Sequence, residues 1–464
     1  MGEPFDLVTR EFKIGGKTPA TAMFVDTIAA GMRVSAEVIG PLERGRDMST
    51  CKLDEKETIE DVLKELLCGK TLVLIPGKAD AQKPVYYIAD TTMFQARGIG
   101  EPPTATVVKG PREGFIENMV PNVSLLRKRI QNPNFRIINA VVGKQTQTKV
   151  AVLYMEGLAD PDIVDKVVKR IESISIDAVM DSYYILQYLQ DQSQLNIFRQ
   201  VGTDEKPDIV ASKLMEGRVA ILVDGSPFVL TVPFVLFEDV QNSDDYYTSH
   251  HSVSFRRLLR IVGVALAMLL PGLYIAMQLY HNRIVPINTL IIITNSIENS
   301  PLSPLLELIF VLILFEIMYE ASLRMPRHLG AVTGLIGALV LGGTAVDAGL
   351  VSIPAILVVA LSGIMMYSIP NLAPQISLLR LFFVLLGGIL GLYGLLIGTI
   401  LVIAYMCSLD SFGAPLLAPY APLVKSDLKD GIFKTDVTHM STRPQSFKQV
   451  NKRRASNSKS EGES

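Results

Sequence analysis

Lysine is missing from the 164 residues Ile261–Val424, and that stretch holds only ten of the chain's 90 formal charges. A water-soluble core of this size would dress its own surface in Lys and Glu, so the shortage excludes an ordinary globular domain there. Histidine and cysteine are also scarce. The five His stand apart except for His250–His251, and Cys51, Cys68 and Cys407 lack metal-ligand spacing. Reduced thiols, no metal site and a soluble part facing the cytosol follow as expectations.

Catalytic signatures are missing too. There is no HExxH, GxSxG or GxGxxG. Gly-Lys-Thr occurs at 16–18 and at 69–71, but a phosphate-binding loop needs a further glycine five residues before the first of these, where Glu11 and Lys64 stand. No enzyme and no cofactor is therefore expected. A net charge of −2, without basic runs interleaved with aromatics, argues against nucleic acid as a partner. The polar start MGEPFDLVTREFKIGG has no apolar core, so no secretory signal is expected.

What the chain does have is two uncharged runs, Ala348–Leu379 and Leu381–Leu409, separated by Arg380 alone. Each exceeds the roughly 20 apolar residues that span a bilayer core. The expected architecture is tandem N-terminal α/β subdomains followed by an all-α polytopic membrane domain. Its divisions are 1–105, a linker with a helix at 106–134, 135–247, a membrane domain of about four to six spans at 248–424, and a cytoplasmic, partly disordered tail at 425–464.

An internal repeat supports the first half. FVDTIA at 24–29 resembles YMEGLA at 154–159, each closing an alternating apolar run after a Gly-Lys turn. TLVLIPGKADAQKPVYYIAD at 71–90 parallels VAILVDGSPFVLTVPFVLFED at 219–239, two β-rich runs around a Pro- or Gly-bearing turn. Each half reads strand, helix, helix, strand, strand, with a hinge between them. The hinge's basic cluster, Arg127, Lys128 and Arg129, is read as a solvated helix face, or as a contact for headgroups or a neighbouring subunit.

In the membrane half, Arg256, Arg257 and Arg260 precede the span Ile261–Tyr280 and put the soluble module on the cytoplasmic side. Ile284–Ile297 suits a re-entrant or half helix. Leu305–Leu323 carries Glu307, Glu316 and Glu320, and Glu316, Glu320 and Arg324 share one face at steps of four. Two readings stay open for these groups: an interfacial ion-pair ladder, or an ion path through the membrane. Leu329–Val346 and Gly349–Tyr367 are the next spans. Ser352, Val359, Ser362 and Met366 form a stripe on the second, read either as helix packing or as a pore lining with Val359 as gate. The glycines of Leu381–Leu409 allow a tilted, kinked or split helix.

GPREGF at 110–115, LPGLYIA at 270–276, FEIMYEASLRMPRHLG at 315–330, AVDAGLVS at 345–352 and SFGAPLLAPYAP at 411–422 resemble the GerA family, the A-type subunits of bacterial spore nutrient-germinant receptors. The tail's Arg443-Pro444 with Asn451 and Arg453 fits the same pattern. The resemblance implies a subunit in the spore inner membrane, with a transporter-like B-type subunit that senses the nutrient and a C-type lipoprotein as partners. It also implies a homo-oligomeric, pentameric channel releasing monovalent cations at the start of germination. SpoVAF-type paralogues share the architecture. A carrier would show more spans and an inverted repeat, and a non-conducting scaffold for a partner permease is the other alternative.

Overall fold

The computed structural model describes residues 6–45, 53–56, 58–75, 86–92, 109–191, 196–297, 301–324, 337, 343–436, 438 and 440–454. In the first hairpin, Leu7–Ile14 (β1) turns back into Thr18–Val25 (β2) through Gly15 and Gly16, at φ 55° and 71°. A side chain resists that left-handed backbone and glycine does not. Leu53–Lys56 (β3), Thr71–Leu74 (β4) and Tyr86–Ala89 (β5) complete an antiparallel sheet in the order β1-β2-β4-β5-β3. Its two faces are covered by a helical run from Gly31 to Glu43 and by Ile59–Leu67 (α1).

The second sheet repeats this plan. Phe135–Val142 (β6), Thr148–Met155 (β7), Gly202–Asp204 (β8), Val219–Val223 (β9) and Val229–Val232 (β10) lie in the order β6-β7-β9-β10-β8. Period-two alternation sends Val150, Val152 and Ile221 to one face and Ala151, Leu153 and Leu222 to the other. Pro161–Glu172 (α3) and Ser182–Leu189 (α4) pack on the first face, Met119–Arg129 (α2) and Pro207–Met215 (α5) on the second. Among the described residues each half thus has five strands, not three. The additions are a leading strand paired along β2 or β7 and a short edge strand beside β5 or β10.

Of the basic cluster at the hinge, Lys128 stays exposed but Arg127 is not on a solvated face. Arg127 is 2 % exposed, donates to both Asp6 carboxylate oxygens at 2.5 and 2.8 Å, and lies over Phe135. It ties the start of β1 to α2, while Lys128 and Arg129 pair with Glu113.

The helical half starts at His250–Leu279 (α6) and continues through Ile287–Ile297 (α7), Pro304–Arg324 (α8), Ile353–Met366 (α9) and Ala373–Ser408 (α10). Most of the expected span Leu329–Val346 lies outside the described residues. Arg380 does not separate two helices; it sits inside α10. The break in that helix comes at Gly391, whose φ of 63° is non-helical, and the Tyr280 hydroxyl caps the loosened turn on the Gly388 and Ile389 carbonyls. At the α6–α10 crossing the backbones touch. A Cβ on Gly387 would lie 2.4 Å from the Gly272 carbonyl oxygen, and one on Gly272 would lie 2.6 Å from that of Phe383.

After α10 the chain returns to the second subdomain. Residues 425–436 and 440–454 pack against it, burying Lys434, Arg443 and Phe447, while residues beyond 454 are outside the description.

Candidate functional site

Acids and bases meet at two levels. The lower one is the junction between the second subdomain and the base of α6. Asp245 is fully buried between two arginines, with Arg257 Nε 3.0 Å and Arg260 Nη1 2.9 Å from its Oδ2. Arg257, equally buried, also donates to the Asp430 carboxylate at 3.0 Å and to the Gly431 carbonyl at 2.7 Å. Lys434 Nζ donates to the Asp245 carbonyl at 2.6 Å. Burial alone would push the Asp245 carboxyl up, but Arg260 and Arg257 outweigh it and hold the group below the usual carboxylate range.

Arg257 and Arg260 are therefore not exposed to headgroups as a positive-inside signal. Helix α6 starts eleven residues ahead of the expected span (at His250 instead of Ile261), and its first turns are built into the soluble module. Beside them a cavity of about 520 Å³ opens, lined among others by Arg218, Lys213, Glu238, Asn371 and Asp430. Glu238 accepts from Arg218 and lies 2.7 Å from Lys213 Nζ; burial raises its pKa, and these two cations bring it down to about 2.

The upper level lies among the helices and turns on Arg380, 1 % exposed. It pairs with Glu316 on α8, donates to Ser362 Oγ on α9 at 3.2 Å and covers the Phe315 ring. Ser362 passes the chain on, its Oγ donating to the Ala267 carbonyl of α6 at 2.7 Å. One arginine thus joins four helices. Deeper, Glu307 is 2 % exposed and accepts from both the Ser352 backbone N–H and its Oγ at 2.6 Å, which puts a carboxylate at the N-terminus of α9.

These contacts redistribute the sequence-derived site. Glu320 and Arg324 pair at 2.6 Å on an exposed face, 58 % and 81 % open, whereas Glu316 leaves that ladder for Arg380. Ser352, Val359, Ser362 and Met366 lie on one face of α9, but that face turns inward against α6, α8 and α10, and all four are buried. None presents a surface to a second copy in this arrangement. The open face carries Ile353, Leu357, Leu361 and Ile364. Sequence reasoning misses Arg380, Asp245 and Asp430. The only signal was Arg380's isolation between two uncharged runs.

The family described as Bacillus/Clostridium GerA spore germination protein matches residues 1–446. This chain belongs to the GerA family. Among its relatives, Spore germination protein KA of Bacillus subtilis is 31 % identical over 97 % of this chain and 85 % of its own length. The Bacillus subtilis membrane protein YfkQ is 37 % identical over 96 % and 89 %. Spore germination protein GerLA of Bacillus cereus is 29 % identical over 96 % and 93 %. The crystallised N-terminal domain of the A subunit of the Bacillus megaterium spore germinant receptor GerK3 aligns with a TM-score of 0.38 at 24 % identity, covering 50 % of this chain and 89 % of that one. Among the described residues of this GerA-family chain, two helices, α6 and the stretch 370–408, are long and apolar enough to cross a membrane, at mean hydropathy 2.1 and 2.3.

Proposed function

We propose that the chain is the A-type subunit of a spore germinant receptor, embedded in the spore inner membrane with its α/β module on the cytoplasmic side. Copies assemble into a pentameric channel that releases monovalent cations. Opening follows nutrient capture by a transporter-like B-type subunit, in a complex that includes a C-type lipoprotein. The observation that carries this reading is the family match over nearly the whole chain, with relatives named for spore germination.

The surface of the helical half supports it. Leu381, Leu385, Ile389, Leu396, Ile400 and Ile403 of α10 are all exposed. An apolar expanse of that extent needs lipid or another subunit to cover it. The junction around Asp245 and Arg257 gives the soluble module a rigid grip on α6, through which a movement on one side reaches the other. Single-channel recording of purified protein in planar bilayers tests the proposal. Discrete, cation-selective conductance steps are expected; silence in the presence of the partner subunits would leave a scaffold.

A further inference from the structure

The two α/β repeats match residue for residue where β2 or β7 leads into the following helix. The Asp26 N–H donates to the Asp6 carbonyl at 2.7 Å, and Glu156 donates to Asn134 at 2.8 Å. Ala29 bonds back to Val25 at 2.9 Å, as Ala159 does to Met155 at 2.9 Å. Gly69 and Gly217 sit opposite, at φ 93° and 92°. A Cβ there would fall 2.6 Å from the Ile28 carbonyl oxygen in one repeat and 2.8 Å from that of Leu158 in the other. Each corner thus frames a backbone slot between a helix-ending glycine and an alanine.

The first repeat fills its slot with the chain that runs on from β5. Thr92 forms an antiparallel bridge to Ala29, and its Cγ2 stands 3.2 Å from the position of a Cβ on Gly69. The chain leaving β10 cannot do the same, because it departs for the helices: Phe234 N donates to Ser411 Oγ and Leu236 N to the Leu416 carbonyl. The second slot is filled nevertheless, from the far end of the chain. Gln449 forms the bridge to Ala159, and its Cβ stands 3.4 Å from a Cβ on Gly217. Val450 N donates to the Leu158 carbonyl at 3.1 Å. Arg443, 7 % exposed, clamps the segment by donating to the Met215 carbonyl at 2.8 Å and the Asn451 carbonyl at 3.3 Å. Phe447 is buried beneath Arg218, whose guanidinium lies 4.5 Å from the ring centroid.

We propose that the slot bounded by Leu158–Ala159 and Met215–Gly217 is a peptide-binding site, whose ligand is this chain's own segment 442–453, closed on itself by the Thr442–Arg453 bridge and bound in cis. Main-chain hydrogen bonds give a bound peptide its affinity and side-chain pockets its specificity; here one bridge, one arginine clamp and one aromatic anchor serve. The tail is therefore held as a ligand is held, and it can be exchanged as one.

The test uses the full chain in detergent with a protease site inserted after Asp436. After cleavage the C-terminal fragment should still co-elute with the rest of the protein, and a synthetic peptide of residues 440–454 should displace it saturably. The same peptide carrying Arg443→Ala should need about tenfold higher concentration, since hydrogen bonds from a charged donor are lost. A fragment that falls away on cleavage, or one that no excess of peptide displaces, would overturn the proposal. In the uncleaved chain, Ala159→Cys with Gln449→Cys should close a disulfide within one molecule, because bridged antiparallel partners lie within disulfide reach. A disulfide between copies, or none at all, would overturn occupancy in cis.

Discussion

A guanidinium surrounded by apolar helices survives only with its charge matched and its donors used. Arg380 meets both conditions through Glu316 and Ser362. Arg380→Ala would remove the partner of Glu316, leave Ser362 Oγ without a donor and empty the space above Phe315. The expected loss is about 2 kcal/mol in stability, below the range for breaking a fully buried pair because the Glu316 left behind is 37 % exposed. Thermal unfolding of the purified variant measures it. Glu320→Ala provides the contrast, because an exposed pair of this kind contributes at most about 0.5 kcal/mol. Equal transition temperatures for the two variants would show that Arg380 does not lock the helices.

Helix α9 decides what its stripe of hydroxyl and apolar residues is for. The inward face is already packed, so a water path beside this helix in the proposed channel runs along the opposite side. Leu357→Cys is expected to react with a water-soluble thiol reagent in the resting protein, and Val359→Cys and Ser362→Cys to stay inert. Reactive Val359 beside inert Leu357 would return the lumen to the stripe. The sequence could tell that Ser352, Val359, Ser362 and Met366 share a face, because that follows from helical spacing alone. It could not tell which neighbour the face meets, because lipid, lumen and a packed helix all accept such a mixture. The repeat was legible through matched strand ends such as FVDTIA and YMEGLA. The strands β3 (LDEK) and β8 (GTD) were not. They are short and polar, and their ladder bonds to β5 and β10 make them strands, a cause that no local propensity records.

In the whole molecule the soluble and helical halves share one charged junction, and its response to acid follows from its carboxylates. Asp245 and Glu238 both titrate below their ordinary values, Glu238 at about 2. A depressed carboxyl stabilises the folded state fully above its unfolded pKa, about 3.9 for Asp and about 4.3 for Glu, and that stabilisation is lost as pH falls through the folded value. For Glu238 the difference amounts to about 3 kcal/mol. The transition temperature should therefore hold steady from about pH 7 to 5 and fall below about pH 4. Glu238→Gln should start lower and show a shallower acid limb. An acid limb identical to that of the parent would place the sensitivity elsewhere.

The tail's return to Ala159 also sets an order of events during synthesis. The second sheet leaves the ribosome early, but the segment that seats beside it emerges only after the apolar helices. In topological terms those helices are an insertion within the second α/β unit, and that unit can be finished only once they are in place. Domains that close on themselves fold as they emerge; this one must wait. Until the helices have been made, the corner at Leu158 and Gly217 lacks the Gln449 bridge that covers it.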